Sequence, residues 1–375
     1  MKESPLQAGD PSMLRRMNAV ATLRALRKLD APTLTELAHE VGLSRPATEG
    51  ALGDLAGRGL VVEVAPPAGK RLGRPARHYR FRAEAGYAVG VEITAEQVRL
   101  FLADLDGRII NRQSTQTPAD SAPAYRLSQV ETSLDRALAE ARVTRSDLWA
   151  AAVGTPGVID PDGRITSCVV IPQWEGTHLA QTLGRFLACP VLAENDANLA
   201  AVAEHWRGVA QEADDVVYVL TGQHTGIGVL IGGRLHRGRW GGAGEVGVLP
   251  EMGLRCTVEA LIGPDNAERL IGPGAVLDAV RAGDTAARDR LEHLAARMAR
   301  GVAAVSLALD PELVVVGGAL TLPGDVLIEP LRRYVEPLLL NPTRLTGSSL
   351  GDEAVRLGAV RLALNRIEEG LYRVG

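Results

Sequence analysis

Apolar residues recur at Leu14, Met17, Val20, Leu23 and Leu26, a helical spacing that predicts one helix over 12–29. Asp30-Ala31-Pro32 ends it, because proline lacks a backbone donor and crowds the turn before it. A second helix is expected in TELAHEV, with Leu34, Leu37, Ala38 and Val41 inward and Thr33 or Thr35 as its cap. Gly42 suits the left-handed residue that closes such a helix. Ser44 is then placed to cap a third helix, with Pro46 in its first turn. Helix, Gly-Leu-Ser turn, helix is the spacing of a helix-turn-helix. Gly50 and Gly53 inside the third helix each cost about 1 kcal/mol against Ala, which leaves its end open. A short strand from Leu60 (GLVVEV), the loop PPAGKRLGRPAR and a second strand from His78 (HYRFR) form a wing.

From Tyr87 the period changes. YAVGVEI, VRLFLADL and RIINRQST predict a series of antiparallel strands, the last pair joined at Asp106-Gly107. A helix near 122–141 precedes the buried strand of LWAAAVGTPGVID. VVYVLTGQHTGIGVLIGGRLHRG predicts two strands around a Gly/Thr loop, and ELVVVGGAL a further strand after a long helix over 284–308. Alternating strands and helices make this an α/β body, and no repeat of 20–50 residues is evident.

Charge separates the two parts. Residues 1–82 hold 14 Lys+Arg against 8 Asp+Glu, while the remainder holds 27 against 37, so a basic head precedes an acidic body. A basic head is expected to meet a polyanion, here double-stranded operator DNA. In that reading the third helix enters the major groove with Ser44, Arg45, Thr48 and Glu49 at its leading end, and Lys70, Arg71, Arg74 and Arg77 of the wing reach phosphates or the minor groove. The plainer alternative is a helical protein-interaction module carrying a basic hairpin. Cys168, Cys189 and Cys256 are far apart and odd in number, which argues against a disulfide framework. No apolar run approaches the length of a membrane span, and MKESPLQAGDPS has no signal core, so a cytoplasmic protein with no membrane partner is expected.

Several ordered motifs resemble one family. GRPARHYRF followed by AGYAVGVEI, then GTPGVIDPDGRI, ENDANLAAVAEHWRG, RGRWGGAGEVG, LDPELVVVGGAL and LGDEAVRLGAV resemble segments of the repressor, open reading frame, kinase (ROK) family across essentially the whole chain. The resemblance implies a winged helix-turn-helix followed by a two-lobed actin-like, sugar-kinase (ribonuclease H-like) body. The expected division is a flexible tail over 1–11, the head over 12–83 and the body over 84–375. Lobe one would span 84–195 plus the C-terminal helix, and lobe two 196–355.

By resemblance, Gly157, Asn195, Asp196, Glu245 and Glu259 belong to a sugar site, with Asp196 at the position of the catalytic base. Such a carboxylate serves sugar recognition as well as proton abstraction. Asn195-Asp196 also has the makings of a helix cap, since an apolar helix follows directly. The family's first phosphate motif, Asp-x-Gly-Gly-Thr, corresponds here to Glu92-Ile93-Thr94-Ala95-Glu96. Both glycines are gone and a carboxylate stands where phosphate would sit; a like charge at about 4 Å costs roughly 4 kcal/mol at an effective dielectric of about 20. The second cradle, Thr225, Gly226 and Gly228 with Gly317 and Gly318, is better kept, although a Gly-x-Gly turn between strands needs no phosphate. The family's zinc run is reduced to Cys256, and Val248 replaces its histidine. One cysteine cannot complete a tetrahedral site, so no zinc and no ATP–Mg are expected as cofactors. The expected function is a sugar-responsive transcriptional regulator, a repressor by preference, binding two half-sites as a homodimer or homotetramer. The alternatives are an active ATP-dependent sugar kinase, and a DNA-bound scaffold that has lost its ligand.

Overall fold

The computed structural model describes residues 11–65, 76–222, 225–255, 257–262, 273–321 and 326–373. The chain divides into two compact units: Met1–Tyr87 with Asp104–Asp106 and Asn365–Gly375, and Ala88–Ala103 with Gly107–Leu364.

The first unit holds the helix-turn-helix. α1 spans Pro11–Lys28, α2 Leu34–Val41 and α3 Arg45–Gly57. Thr33 caps α2 in a reciprocal box: its hydroxyl accepts from the Glu36 N–H while the Glu36 carboxylate accepts from the Thr33 N–H. Gly42 closes α2 at φ 66°, and the Ser44 hydroxyl accepts from the Ala47 N–H to open α3. Leu23, Leu26, Leu37, Ala51, Leu52, Leu55, Leu60 and Phe81 form the core. Leu14 and Met17 lie outside it, because the first two turns of α1 are exposed. α3 runs through both Gly50 and Gly53, which face open space. The wing strands β1 (Val61–Val64) and β2 (His78–Phe81) pair antiparallel, Val61 opposite Phe81. His78 Nδ1 meets the Ala31 carbonyl at 2.6 Å and so ties β2 to the turn after α1. Arg27 fastens the end of α1 within the unit, donating to Glu368 and the Tyr372 hydroxyl at 2.8 Å each and to the Leu105 carbonyl at 2.9 Å.

The second unit contains two five-stranded sheets of the same design. One takes β3 (Tyr87–Ile93), β4 (Gln97–Asp104), β5 (Ile109–Gln116), β6 (Leu148–Thr155) and β9 (Val191–Asn195) in the order β5-β4-β3-β6-β9. The other takes β10 (Val216–Thr221), β11 (Gly226–Ile231), β12 (Arg234–Leu235), β13 (Leu313–Gly318) and β14 (Arg344–Gly347) in the order β12-β11-β10-β13-β14. In each a meander is followed by two strands, β6 with β9 and β13 with β14, that pair parallel. The duplication is one of topology, which is why no short repeat shows in the sequence. β7 (Val158–Ile159) and β8 (Ile165–Ser167) make a small hairpin. α4 (Pro123–Ala141) follows the first meander, and α5 (Leu179–Leu187) packs on β9 and β6. α6 (Asp196–Arg207) contacts strands of both sheets. α7 (Thr257–Ile262), α8 (Pro273–Arg281), α9 (Thr285–Leu309) and α10 (Ile328–Val335) flank the second sheet, and Met298, Val302, Leu331 and Val316 meet in its core. α11 (Ala354–Leu371) ends the fold.

Candidate functional site

A cavity of about 520 Å³ lies in the second unit. Residues at or just past the C-terminal ends of five strands line it: Thr94 after β3, Pro156 after β6, Asp196 after β9, Thr221 on β10 and Gly318 on β13. Strand ends are where α/β folds collect ligands, since backbone polar groups and loop side chains converge there.

Asp196 is the first residue of α6, and its Oδ1 accepts from the Ala197 N–H at 2.9 Å. Burial pushes its carboxyl up to about 7, and repulsion from Glu92 and Glu245 acts the same way. Glu245 is itself raised by burial on the short turn Glu245–Val248. The fold therefore brings Glu92 and Glu245 each within electrostatic reach of Asp196, although Glu245 is not among the described residues that line the cavity. Neither Asp196 nor Glu245 has an ion-pair partner among the described residues.

Glu92 is held differently. Burial raises its pKa, while Arg99 Nε at 3.2 Å and Arg356 Nη1 at 3.9 Å oppose that rise. Both arginines also reach Asp352, at 3.0 and 3.5 Å, and Arg356 stacks over the Phe101 ring. Glu92, Arg99 and Asp352 of this network line the cavity beside the β3–β4 turn. In that turn the Thr94 hydroxyl accepts from the N–H groups of Glu96 and Gln97, at 3.3 and 3.1 Å. The N–H groups of Glu96 and Gln97 are thus engaged within the turn, and Glu96 and Asp352 add like charge. A turn with so few free N–H groups, set among carboxylates, is a poor cradle for a triphosphate.

Of the other positions expected in the sugar and phosphate sites, Gly318 is the one that lines the cavity among the described residues. Asn195 is buried and fills the cap role that its sequence position also allowed. It caps α6, with its Oδ1 accepting from the Asn198 N–H at 3.1 Å, and its amide donates to the Gly157 carbonyl at 3.1 Å, so the pair orders the backbone behind Asp196. Glu194 completes that support: Oε1 accepts from the Asn195 N–H and the Asn198 amide, and Oε2 meets Arg237 Nε at 2.5 Å. Thr225 is buried where β11 begins and its N–H donates to the Leu254 carbonyl. The second cradle's glycines have packing reasons. A Cβ at Gly228 would fall 2.3 Å from the Ala197 carbonyl, and one at Gly318 2.2 Å from the Thr221 carbonyl. Gly226 and Gly317 are hemmed in likewise, by Ala197 and by the Tyr218 hydroxyl. The Glu259 side chain and Cys256 lie outside the described residues. Val248 is exposed and offers no metal donor, so the zinc donor set does not fit this chain.

In the head, Ser44, Arg45 and Glu49 are exposed at the start of α3. Thr48 is not available to DNA: it is fully buried with Ala51, Leu52 and Leu55, and its hydroxyl donates back to the Ser44 carbonyl. The helical period turned it inward. Arg77 is exposed, 3.7 Å from Glu63. Lys70, Arg71 and Arg74 lie outside the described residues.

The ROK family model matches residues 88–260 and 249–366, well over half of the chain. The chain belongs to the ROK family. An IclR helix-turn-helix domain model matches residues 17–65 of the same ROK chain. The glucokinase of Halalkalibacterium halodurans is 25% identical, over 75% of this chain and 97% of its own length. The xylose repressor of Caldicellulosiruptor bescii is 21% identical but spans 95% of this chain and 98% of its own, head included. Among solved structures, a ROK family transcriptional regulator homologous to the E. coli MLC protein matches with a TM-score of 0.74, 17% identity and 96% and 98% coverage, which shows the shared fold. A Streptomyces griseus ROK glucokinase in complex with glucose and AMPPNP matches with a TM-score of 0.64 and 25% identity, over 75% of this chain and all of that one.

Sequence motifs led to Asp196 and to the altered 92–96 segment. They did not reveal the Glu92–Arg99–Arg356–Asp352 network or Arg237, although Asp352 and Arg356 both sit in the quoted LGDEAVRLGAV segment.

Proposed function

We propose that this protein is a sugar-controlled DNA-binding repressor in which the kinase-type cavity is an effector site without phosphoryl transfer. The observation that carries this reading is a helix-turn-helix joined to a ROK body whose first phosphate turn engages its own N–H groups and faces carboxylates. Asp196 is the ligand-recognising carboxylate that lines the cavity, with Glu245 and Glu259 as further ones by resemblance. Asp196 accepts a hydrogen bond from a sugar hydroxyl. Sugar binding favours one arrangement of the body, and DNA affinity changes only by the difference in sugar affinity between arrangements. The protein acts in the cytoplasm as a homodimer or homotetramer, because a helix-turn-helix regulator reads paired half-sites. No zinc, ATP or magnesium is required.

One observation favours a second reading, an active sugar kinase: Asp196 is retained, buried and raised to about 7, a value suited to a general base. A thermal-shift screen of the full chain with xylose, glucose, amino sugars and their phosphates, with and without ATP, separates the two when run beside a coupled assay for sugar-dependent ATP hydrolysis. Stabilisation by a sugar without ATP turnover is the expected result. Turnover at ordinary kinase rates of about 1–100 per second would overturn the repressor-only reading.

A further inference from the structure

Near the start of α4 stands an arginine with no exposed surface, Arg126. Its Nη1 donates to the Thr94 carbonyl at 3.1 Å, the Ala95 carbonyl at 2.5 Å and the Thr117 hydroxyl at 3.0 Å. Its Nη2 donates to the Pro118 and Ala119 carbonyls at 3.1 and 2.8 Å. No ion pair reaches it among the described residues; Asp120 is the carboxylate whose field it feels. Burying a guanidinium without a bonded carboxylate is costly, and here four carbonyl dipoles and a hydroxyl replace water around its two Nη groups, while Nε has no partner among the described residues. What the arginine gains in return is a grip on two loops, 94–95 and 117–119.

The grip has a direction. A trans peptide sets its N–H opposite its C=O. With the Thr94 carbonyl drawn to Arg126, the Ala95 N–H points away from the guanidinium. Ala95 lines the cavity, and its N–H has no acceptor among the described residues. The next two N–H groups of the turn are engaged by the Thr94 hydroxyl. One donor is left, on a peptide polarised from behind by a buried positive charge.

We infer that Arg126 is a positioning residue for the cavity: it holds the β3–β4 turn so that the Ala95 N–H is presented as a single preorganised donor to an uncharged oxygen of the bound effector. This deepens, and rests on, the effector-site reading above. A single N–H suits a hydroxyl, ring or carbonyl oxygen. Phosphate sites gather several N–H groups, and here Glu96 and Asp352 line the same cavity.

The test uses the full chain labelled with ¹⁵N-alanine, the Ala95 amide being assigned by its loss in Ala95→Ser. The probes are xylose, glucose, inorganic phosphate and ADP. The variants are Arg126→Met, Arg126→Lys and, as a stability control on the same helix, Leu134→Ala, whose side chain is buried. We expect xylose or glucose to move the Ala95 amide signal and slow its hydrogen exchange, with no such effect from phosphate or ADP. Arg126→Met should weaken that sugar at least ~10-fold and Arg126→Lys less, whereas Leu134→Ala should stay within about twofold despite a lowered Tm. Three results overturn the inference while leaving the effector reading intact: sugar binding that does not move the Ala95 amide, wild-type sugar affinity in Arg126→Met, or an amide response to phosphate or ADP beside sugar-induced stabilisation. A wild type that answers to none of the four probes overturns both. Should Arg126→Met fail to fold, Arg126→Lys and the wild-type amide signal still decide.

Discussion

Asp196→Asn should make the body more stable rather than less, and the gain should grow with pH. In the unfolded chain an aspartate releases its proton near 3.8; in the folded protein Asp196 holds its proton up to about 7. Below about pH 4 both states are protonated and the group has no effect on stability beyond its packing. Between these values the folded state retains a proton that the unfolded chain has released. Stability therefore falls as pH rises and levels off once the folded group ionises. At about 1.4 kcal/mol per unit, the full penalty has a ceiling of about 4 kcal/mol, roughly half of it present by pH 5.5. Asparagine keeps the shape and the acceptor for the Ala197 N–H but carries no charge. Urea midpoints of the body transition at about pH 5.5 and about pH 8 should show the variant's advantage widening by about 2 kcal/mol. The same variant should lose its response to effector while its head still binds DNA. A gap that does not change with pH, or a variant less stable at the higher pH, would show that Asp196 is not an uncompensated buried charge and would remove the electrostatic argument for the site.

Further outcomes follow from particular contacts. Gly228→Ala should destabilise the body by about 2–3 kcal/mol, seen as a lowered urea midpoint, because its Cβ would overlap the Ala197 carbonyl in the turn that carries Asp196. Arg27→Met removes the donor to Glu368, Tyr372 and the Leu105 carbonyl, and should cost the first unit about 2–3 kcal/mol, with faster hydrogen exchange over 365–373. Operator affinity measured against salt should fall with a slope of about −0.9 per phosphate contacted. Arg45→Ala should relax base preference and Arg74→Ala should weaken all sequences alike, while Thr48→Val, inside the head, should leave sequence preference unchanged.

The parts of this protein legible from its residues were those written in local chemistry. Thr33 with Glu36, Gly42 and Ser44 each declare a helix end within four residues of themselves, and the turn between α2 and α3 came out as expected. Thr48 shows the limit of that approach. Its place at the head of α3 suggested a base contact, yet the helix phase that buries Ala51, Leu52 and Leu55 takes Thr48 with them. Asn195 and Asp196 are adjacent in sequence yet differently placed, since the Asn195 side chain caps the helix start while Asp196 lines the cavity.

Local periodicity, turn residues and family motifs were enough to place a winged helix-turn-helix before a kinase-like body and to show that the first phosphate segment had changed. They could not show which long-range partners surround that segment. Glu92 meets Arg356, and Arg126 meets the 94–95 and 117–119 backbones, only after β3, α4 and α11 have packed. Long-range burial decides which charges are paired and which peptide dipoles are held, and at this site those decide what the cavity can bind.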